Sequence, residues 1–235
     1  SDLGTSGRDC YEAEEGYELF EADLDQAEMR IMADESGDER LIRLFNEGLV
    51  DIHGDTASKI FHKDYSVCMS KEGKVKFRYP AKRAGFGVIT GIQGGGLFDQ
   101  LRMAGCEGWD RDSADKLIDD WLALFPGVKK FMTACAEETR ANGGIIKDRW
   151  GMPRHLPGIF SDDKYERFEA QRQSHSHRIQ GTAQGWLQIA MGRIWKRLAP
   201  HGDLIRFILQ IHDSLLFEVF SDPVIKALVE QVVAE

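Results

Sequence analysis

The placement of the β-rich runs restricts this chain more than any other feature. Tyr17 to Leu24 alternates apolar and polar residues, the period of a strand with one buried face, and closes on Asp23-Leu24-Asp25. The other strong runs, Leu204–Ile211 and Leu215–Phe220, come near the opposite end and flank His212-Asp213-Ser214. They read as a hairpin with a carboxylate at its tip. Between these extremes the chain is mostly helical in pattern. The expected fold is therefore α+β, a small antiparallel sheet interrupted by a large, mostly helical insertion.

Within the insertion, Gln26–Ala33, Asp38–Phe45 and Ile52–Phe61 carry helical spacing, with Gly48 as a break. Ser70–Phe77 reads as a loop. Pro80 opens a helix, where its fixed φ is favourable and its missing N–H costs nothing. Gly94-Gly95-Gly96 reads as a break before helices at Asp110–Phe125 and Val128–Ala141. Asn142-Gly143-Gly144 marks a turn, followed by a small hairpin at Ile145–Trp150 and Arg154–Leu156. A long helix is expected over Asp163–Leu198, bent near Gly181 or Gly185. Asp222 is placed to cap a last helix.

Charge is informative by distribution rather than sum. The formal net charge is −9, the wrong sign for gripping phosphates. Yet Lys71, Lys74, Lys76, Arg78, Lys82 and Arg83 cluster against a single Glu72. A solvated basic loop is the plain alternative to a phosphate-binding segment. No apolar run is long enough to span a bilayer, and Ser1–Tyr17 lacks a signal peptide's apolar core. Cys10, Cys68, Cys106 and Cys135 form no CxxC pair, which fits reduced thiols inside a cell. His175 and His177, two residues apart, do not share a helical face and make a poor metal pair.

Asp23 and Asp213 are the first chemical candidates. If their strands are sheet neighbours, both side chains meet at one end. Magnesium binds through one or two carboxylates, substrate phosphates and water. Two such ions activate an attacking oxygen and stabilise a leaving one. Ordinary strand-end aspartates are the alternative. A second candidate is the stripe Arg78, Lys82, Phe86, Thr90 at successive i, i+4 positions, which drifts only slightly around a helix. It offers two cations for a triphosphate and an aromatic ring for a sugar or base. Gly85 and Gly87 beside Phe86 would let a flat ligand approach the backbone. An amphipathic helix with surface charges is the alternative here.

Five segments resemble family A DNA polymerases, the bacterial DNA polymerase I type. Asp23-Leu24-Asp25-Gln26-Ala27-Glu28-Met29-Arg30 is similar to the first palm motif, DxxQxE(L/M)R. Arg78–Gly91, RYPAKRAGFGVITG, resembles the fingers motif RxxxKxxxFGxxYG. Gln210-Ile211-His212-Asp213 resembles QVHDE. Asp51-Ile52-His53 with Thr56-Ala57 resembles DIHxxTA, and Arg172 with Gln180-Gly181-Thr182-Ala183 resembles RxxxNxxxQGTA. All five occur in family order.

The resemblance implies a right-hand polymerase, with palm at 1–48 and 175–235 and fingers at 49–174. It implies template-directed addition of deoxynucleotides to a primer 3′ end by two-metal phosphoryl transfer. Asp23, Asp213 and the Leu24 carbonyl would hold two magnesium ions, with manganese as a substitute. Arg78 and Lys82 would bind the triphosphate, and Lys82 would protonate pyrophosphate. Phe86 and Thr90 would line the nucleotide site, and Glu28 would close the space beside C2′. His212 would contact the primer end, while Arg172, Ser176 and Gln180 would position primer-template DNA. Partners would be that DNA and deoxynucleoside triphosphates, with no membrane. The expected location is intracellular, cytoplasmic or nucleoid-associated, in a host cell if the source is viral.

Three positions depart from the family. Ser214 replaces a glutamate, Thr90 a tyrosine and Ser176 an asparagine. Ser214 is similar to the HDS of single-subunit phage-type RNA polymerases, so RNA synthesis on the same palm is one alternative. A nucleic-acid-binding remnant without turnover is another. Neither a thumb nor an exonuclease fits before Asp23. The chain is therefore expected to be part of a larger polymerase whose missing domains lie on other segments or chains.

Overall fold

The structure, a computed structural model, describes residues 12–48 and 50–234. In chain order it opens with β1 (Tyr17–Asp23), α1 (Ala27–Ser36), α2 (Glu39–Glu47), α3 (Ile52–Ile60), α4 (Tyr65–Met69) and α5 (Lys71–Gly73). A π-helical turn, Lys74–Arg78, leads into α6 (Tyr79–Thr90), followed by α7 (Gly94–Met103), α8 (Arg111–Leu124) and α9 (Pro126–Ala141). The short strands β2 (Ile145–Lys147) and β3 (Pro153–His155) precede α10 (Lys164–Leu198), β4 (Ile205–Ile211), β5 (Ser214–Phe220) and α11 (Pro223–Ala234). Two compact units result. One holds the chain up to Ala27 and from Ala183 on, and the other runs Glu28–Thr182.

The first unit is the expected antiparallel sheet, ordered β1-β5-β4. β5 is central and reads as an almost continuous apolar run. β1, at an edge, alternates. Phe20 and Ala22 pack with Leu215, Phe217 and Val219 of β5, with Leu187, Ile194 and Leu198 of α10, and with Val229 and Val232 of α11. The polar alternate positions of β1 face away from this core. Buried Glu218 in the central strand is compensated by the Glu14 N–H at 2.8 Å and by Arg206 at 2.8 Å. Asp222 Oδ1 accepts from the Val224 N–H at 2.8 Å, the cap expected for the last helix.

The second unit is helical apart from the β2–β3 hairpin. Its core gathers Met29, Met32, Leu41, Val88, Ile89, Leu97, Leu101, Leu117, Trp121 and Phe125. Two expectations are corrected there. Ser70–Phe77 is helix and π turn rather than loop. Ser70 Oγ caps it by accepting from the Gly73 N–H at 3.0 Å, and exposed Lys71, Lys74 and Lys76 leave no apolar stripe to signal it. Gly94-Gly95-Gly96 is the first turn of α7 rather than a break. The Gly94 N–H donates to Asp115 at 2.7 Å, and a Cβ at 94 would lie 2.2 Å from the Asp115 Cγ. Close approach of α7 to α8 demands glycine here. Among the described residues, no helix is long and apolar enough to cross a membrane.

Candidate active site

Strand register builds the first group of candidates. Tyr17 pairs with Phe220 and the ladder runs without a slip to Asp23 opposite Ser214. The N–H of Leu24 then donates to the Asp213 carbonyl at 3.2 Å. Asp23, Leu24, His212 and Asp213 therefore share one end of the sheet, with Asp23, His212 and Asp213 exposed. The turn between β4 and β5 is only His212-Asp213, and His212 takes φ of 53°. Glycine is the usual residue at positive φ, so the tight turn holds a histidine in a costly conformation. The Gln210 side chain steadies it by donating to the His212 carbonyl at 2.9 Å.

The donor set suits a hard cation that uses few protein ligands. Among the described residues, no three His, Cys, Asp or Glu side chains form a ready cage. Magnesium requires none, because it keeps water and takes phosphate oxygens alongside one or two carboxylates. Two exposed aspartates on one sheet end meet that requirement. The Leu24 carbonyl accepts a long 3.4 Å bond from the Ala27 N–H and retains a second lone pair. Glu28 lies half-buried in the first turn of α1.

The second group lies on α6 and on the last residue of the π-helical turn before it. Arg78, Lys82, Phe86 and Thr90 are all half-buried, whereas Ala81, Ala84, Gly85, Val88 and Ile89 are buried. The expected stripe is thus the solvent-side edge of a helix whose other face enters the core. Arg78 Nε and Nη2 donate to both Asp51 oxygens at 2.8 and 2.6 Å. Asp51 also caps α3, accepting from the Gly54 N–H at 2.7 Å. Burial would raise the Asp51 carboxyl, but the Arg78 hydrogen bond, the Gly54 N–H and the Arg78 charge together hold it below the usual range. Arg78 is raised in turn, chiefly by its hydrogen bond to Asp51.

Lys82 Nζ stands 5.6 Å from the Phe86 ring centroid, within cation–π range. The His53 ring lies 5.7 Å from the same ring. His53 was not singled out from the sequence, although Asp51-Ile52-His53 was the signal for it. Thr90 turns its hydroxyl back to the Gly87 carbonyl of its own helix at 3.1 Å.

The third group is on α10. Arg172 donates to the Glu169 carboxylate and to the Thr90 carbonyl. It therefore ties down the last turn of α6. Gly91, at φ of 66°, permits this, since a Cβ there would meet Arg172 Cγ at 2.0 Å. The Arg172 and Gln173 hydrogen bonds pull the Glu169 carboxyl down to about 2. Buried Ser176 donates to Gln180 Oε1 at 3.1 Å, and Gln180 is exposed. His175 is buried between two carbonyls, those of Gln171 and Val88, each 3.3 Å from a ring nitrogen. A cavity of about 510 Å³ opens beside this clamp, lined by Val88, Gly91, Leu122, Phe168, Arg172 and His175.

The family model for DNA polymerase family A matches residues 1–235. The thermostable DNA polymerase I of Thermus filiformis is 35% identical over 232 residues, covering 98% of this chain and 26% of that protein. DNA polymerase I of Chloroflexus aurantiacus is 34% identical over 221 residues, 94% of this chain and 22% of that one. A solved POL domain of Pol1 from M. smegmatis, in complex with DNA primer-template and dNTP, matches with a TM-score of 0.81 and 31% identity. It covers 96% of this chain and 37% of that one. The chain thus spans about a quarter of the length of these curated relatives. With a model match from end to end and this level of identity, the chain belongs to DNA polymerase family A.

Proposed function

We propose that this chain is the palm and fingers of a template-directed DNA polymerase, adding deoxynucleotides to a primer 3′ end by two-metal phosphoryl transfer. The β1–β5 register, which sets Asp23 opposite Ser214 and next to Asp213, carries this reading. The palm would take 1–48 and 175–235, and the fingers 49–174. Because the chain spans about a quarter of its curated relatives' length, the working enzyme would be larger than this chain.

Asp23, Asp213 and the Leu24 carbonyl would hold two magnesium ions, for which manganese would substitute; bound there, they supply charge stabilisation to the attacking and leaving oxygens. Arg78 and Lys82 bind the triphosphate, with Arg78 oriented beforehand by Asp51. Lys82 gives its proton to the departing pyrophosphate oxygen. Phe86, with His53 against it, packs on the sugar and base. Glu28 excludes a 2′-hydroxyl. His212 meets the primer end, and Gln180 and Ser176 serve the primer-template. Arg172 serves it indirectly by fixing the end of α6. Free thiols at Cys68, Cys106 and Cys135 support an intracellular setting.

Primer extension with magnesium and four deoxynucleoside triphosphates tests the reading, with Asp23→Ala and Asp213→Ala as controls. Template-dependent extension lost in both variants supports it. Binding without extension would leave a nucleic-acid-binding remnant. Equal use of ribo- and deoxynucleotides would instead select RNA synthesis, an alternative that the match to family A DNA polymerases does not favour.

A further inference from the structure

Ser214 stands directly after Asp213, where the family motif has a glutamate, and it is engaged. It is only 2% exposed, and its Oγ donates to a Glu21 carboxylate oxygen at 2.9 Å, with the Ile211 carbonyl at 3.1 Å as the other acceptor in reach. The strand register explains the first contact. Asp23 is opposite Ser214 and Glu21 is opposite Leu216. Opposed residues of antiparallel strands share a face, as do residues i and i+2 of one strand. Glu21, Asp23 and Ser214 therefore project from the same side of the sheet, opposite the core face that carries Phe20, Ala22, Leu215 and Phe217. Glu21 reaches diagonally toward the catalytic end of the sheet.

We propose that Glu21 supplies, from the neighbouring strand, the negative charge that the family motif places at position 214. It acts through the Ser214 hydroxyl to raise the cation affinity of the Asp23–Asp213 pair. The inference rests on the reading of those aspartates as the metal ligands. Glu21 is a positioning residue here. A hydroxyl that donates to a carboxylate presents its lone pairs and a polarised oxygen to its other neighbours. The carboxylate itself adds unit negative charge beside the site. Outer groups that orient or charge metal ligands commonly change metal affinity by roughly tenfold or more.

Glu21→Gln isolates the charge, because the amide oxygen still accepts from Ser214 Oγ. A purely structural hydrogen bond would survive this change, and the melting temperature should stay near wild type. Mn²⁺ binding to the chain, followed by electron paramagnetic resonance of the free ion, should weaken by roughly tenfold. The magnesium concentration needed for half-maximal extension should rise in parallel. The double variant Glu21→Gln, Ser214→Glu should recover Mn²⁺ affinity, since it returns the charge to the position used by the family. Asp23→Asn and Asp213→Asn serve as references. If they lose Mn²⁺ while Glu21→Gln binds it as wild type does, the role of Glu21 is overturned and the aspartate reading stands. If they too bind as wild type does, the aspartate reading fails and this inference fails with it.

Discussion

The sheet unit and the helical unit place their candidate residues by different physics. In the sheet unit, backbone pairing fixes the aspartates. The ladder from Tyr17–Phe220 to Asp23–Ser214 and the Leu24 N–H to Asp213 carbonyl bond leave their side chains exposed at a defined spot. A one-residue slip would turn every side chain of β1 to the other face. In the helical unit, side chains hold side chains. Arg78 is gripped by Asp51, Phe86 lies against His53, and Arg172 pins the end of α6. Candidates positioned by backbone should be removable at little cost to folding, whereas those positioned by side-chain networks should couple function to stability.

The strongest attempt to break this contrast is Asp23→Ala or Asp213→Ala. Each should abolish primer extension, leaving under roughly a tenth of the wild-type rate, because a ligand of the transition-state cation is gone. Melting temperature should stay near wild type, since both side chains are exposed and main-chain pairing sets their place. A large drop in melting temperature with activity retained would reverse the contrast.

Lys82→Ala comes next. Loss of one well-placed electrostatic donor should lower the single-turnover rate by about 10²–10³ and weaken nucleotide binding, with DNA affinity little changed. Collapse of DNA binding with nucleotide binding preserved would mean that α6 faces the wrong ligand.

A smaller effect is expected at Glu28, in the first turn of α1. The wild type should strongly prefer deoxynucleotides, and Glu28→Ala should narrow that preference at some cost in rate, because the shortened side chain leaves room for a 2′-hydroxyl. Competition between the two sugars in single-turnover extension measures both halves.

The smallest effect is one of stability alone, and it sharpens the account of the helical unit. Burial pushes the His175 imidazole down to about 4, against the opposing pull of the Val88 and Gln171 carbonyls. Between that value and the unfolded one near 6.5, the unfolded chain carries a proton that the folded chain lacks. Stability should therefore fall as pH drops through this window and level off below it, by roughly 3 kcal/mol at most. Denaturant melts from pH 7 to 4 should show that slope, and His175→Gln should flatten it. An unchanged slope would locate the titration elsewhere.

Much of this was legible in the residues. Period-two alternation marked β1, the β-rich runs around His212-Asp213 marked the hairpin, and i, i+4 spacing marked the α6 stripe. The π turn at Lys74–Arg78 was not legible, because its exposed lysines leave no apolar periodicity. Nor was the α7 start at Gly94, since glycines that admit Asp115 look in sequence like glycines that end a helix. Arg172 read as a DNA contact, and its bond to Thr90, 82 residues away, has no local signal. Glu21 lacks a local signal for the same reason, whereas His53 has one in Asp51-Ile52-His53.

The sequence by itself determined the family and the α+β class and singled out the candidate groups, because motif spacing and hydrophobic period are properties of the chain's own order. Tertiary structure alone decided which groups are bound to which: Asp51 to Arg78, Arg172 to the end of α6, and Glu21 to the serine beside Asp213. Such pairings depend on strand register and helix packing, which join residues far apart in sequence and are set by the fold as a whole.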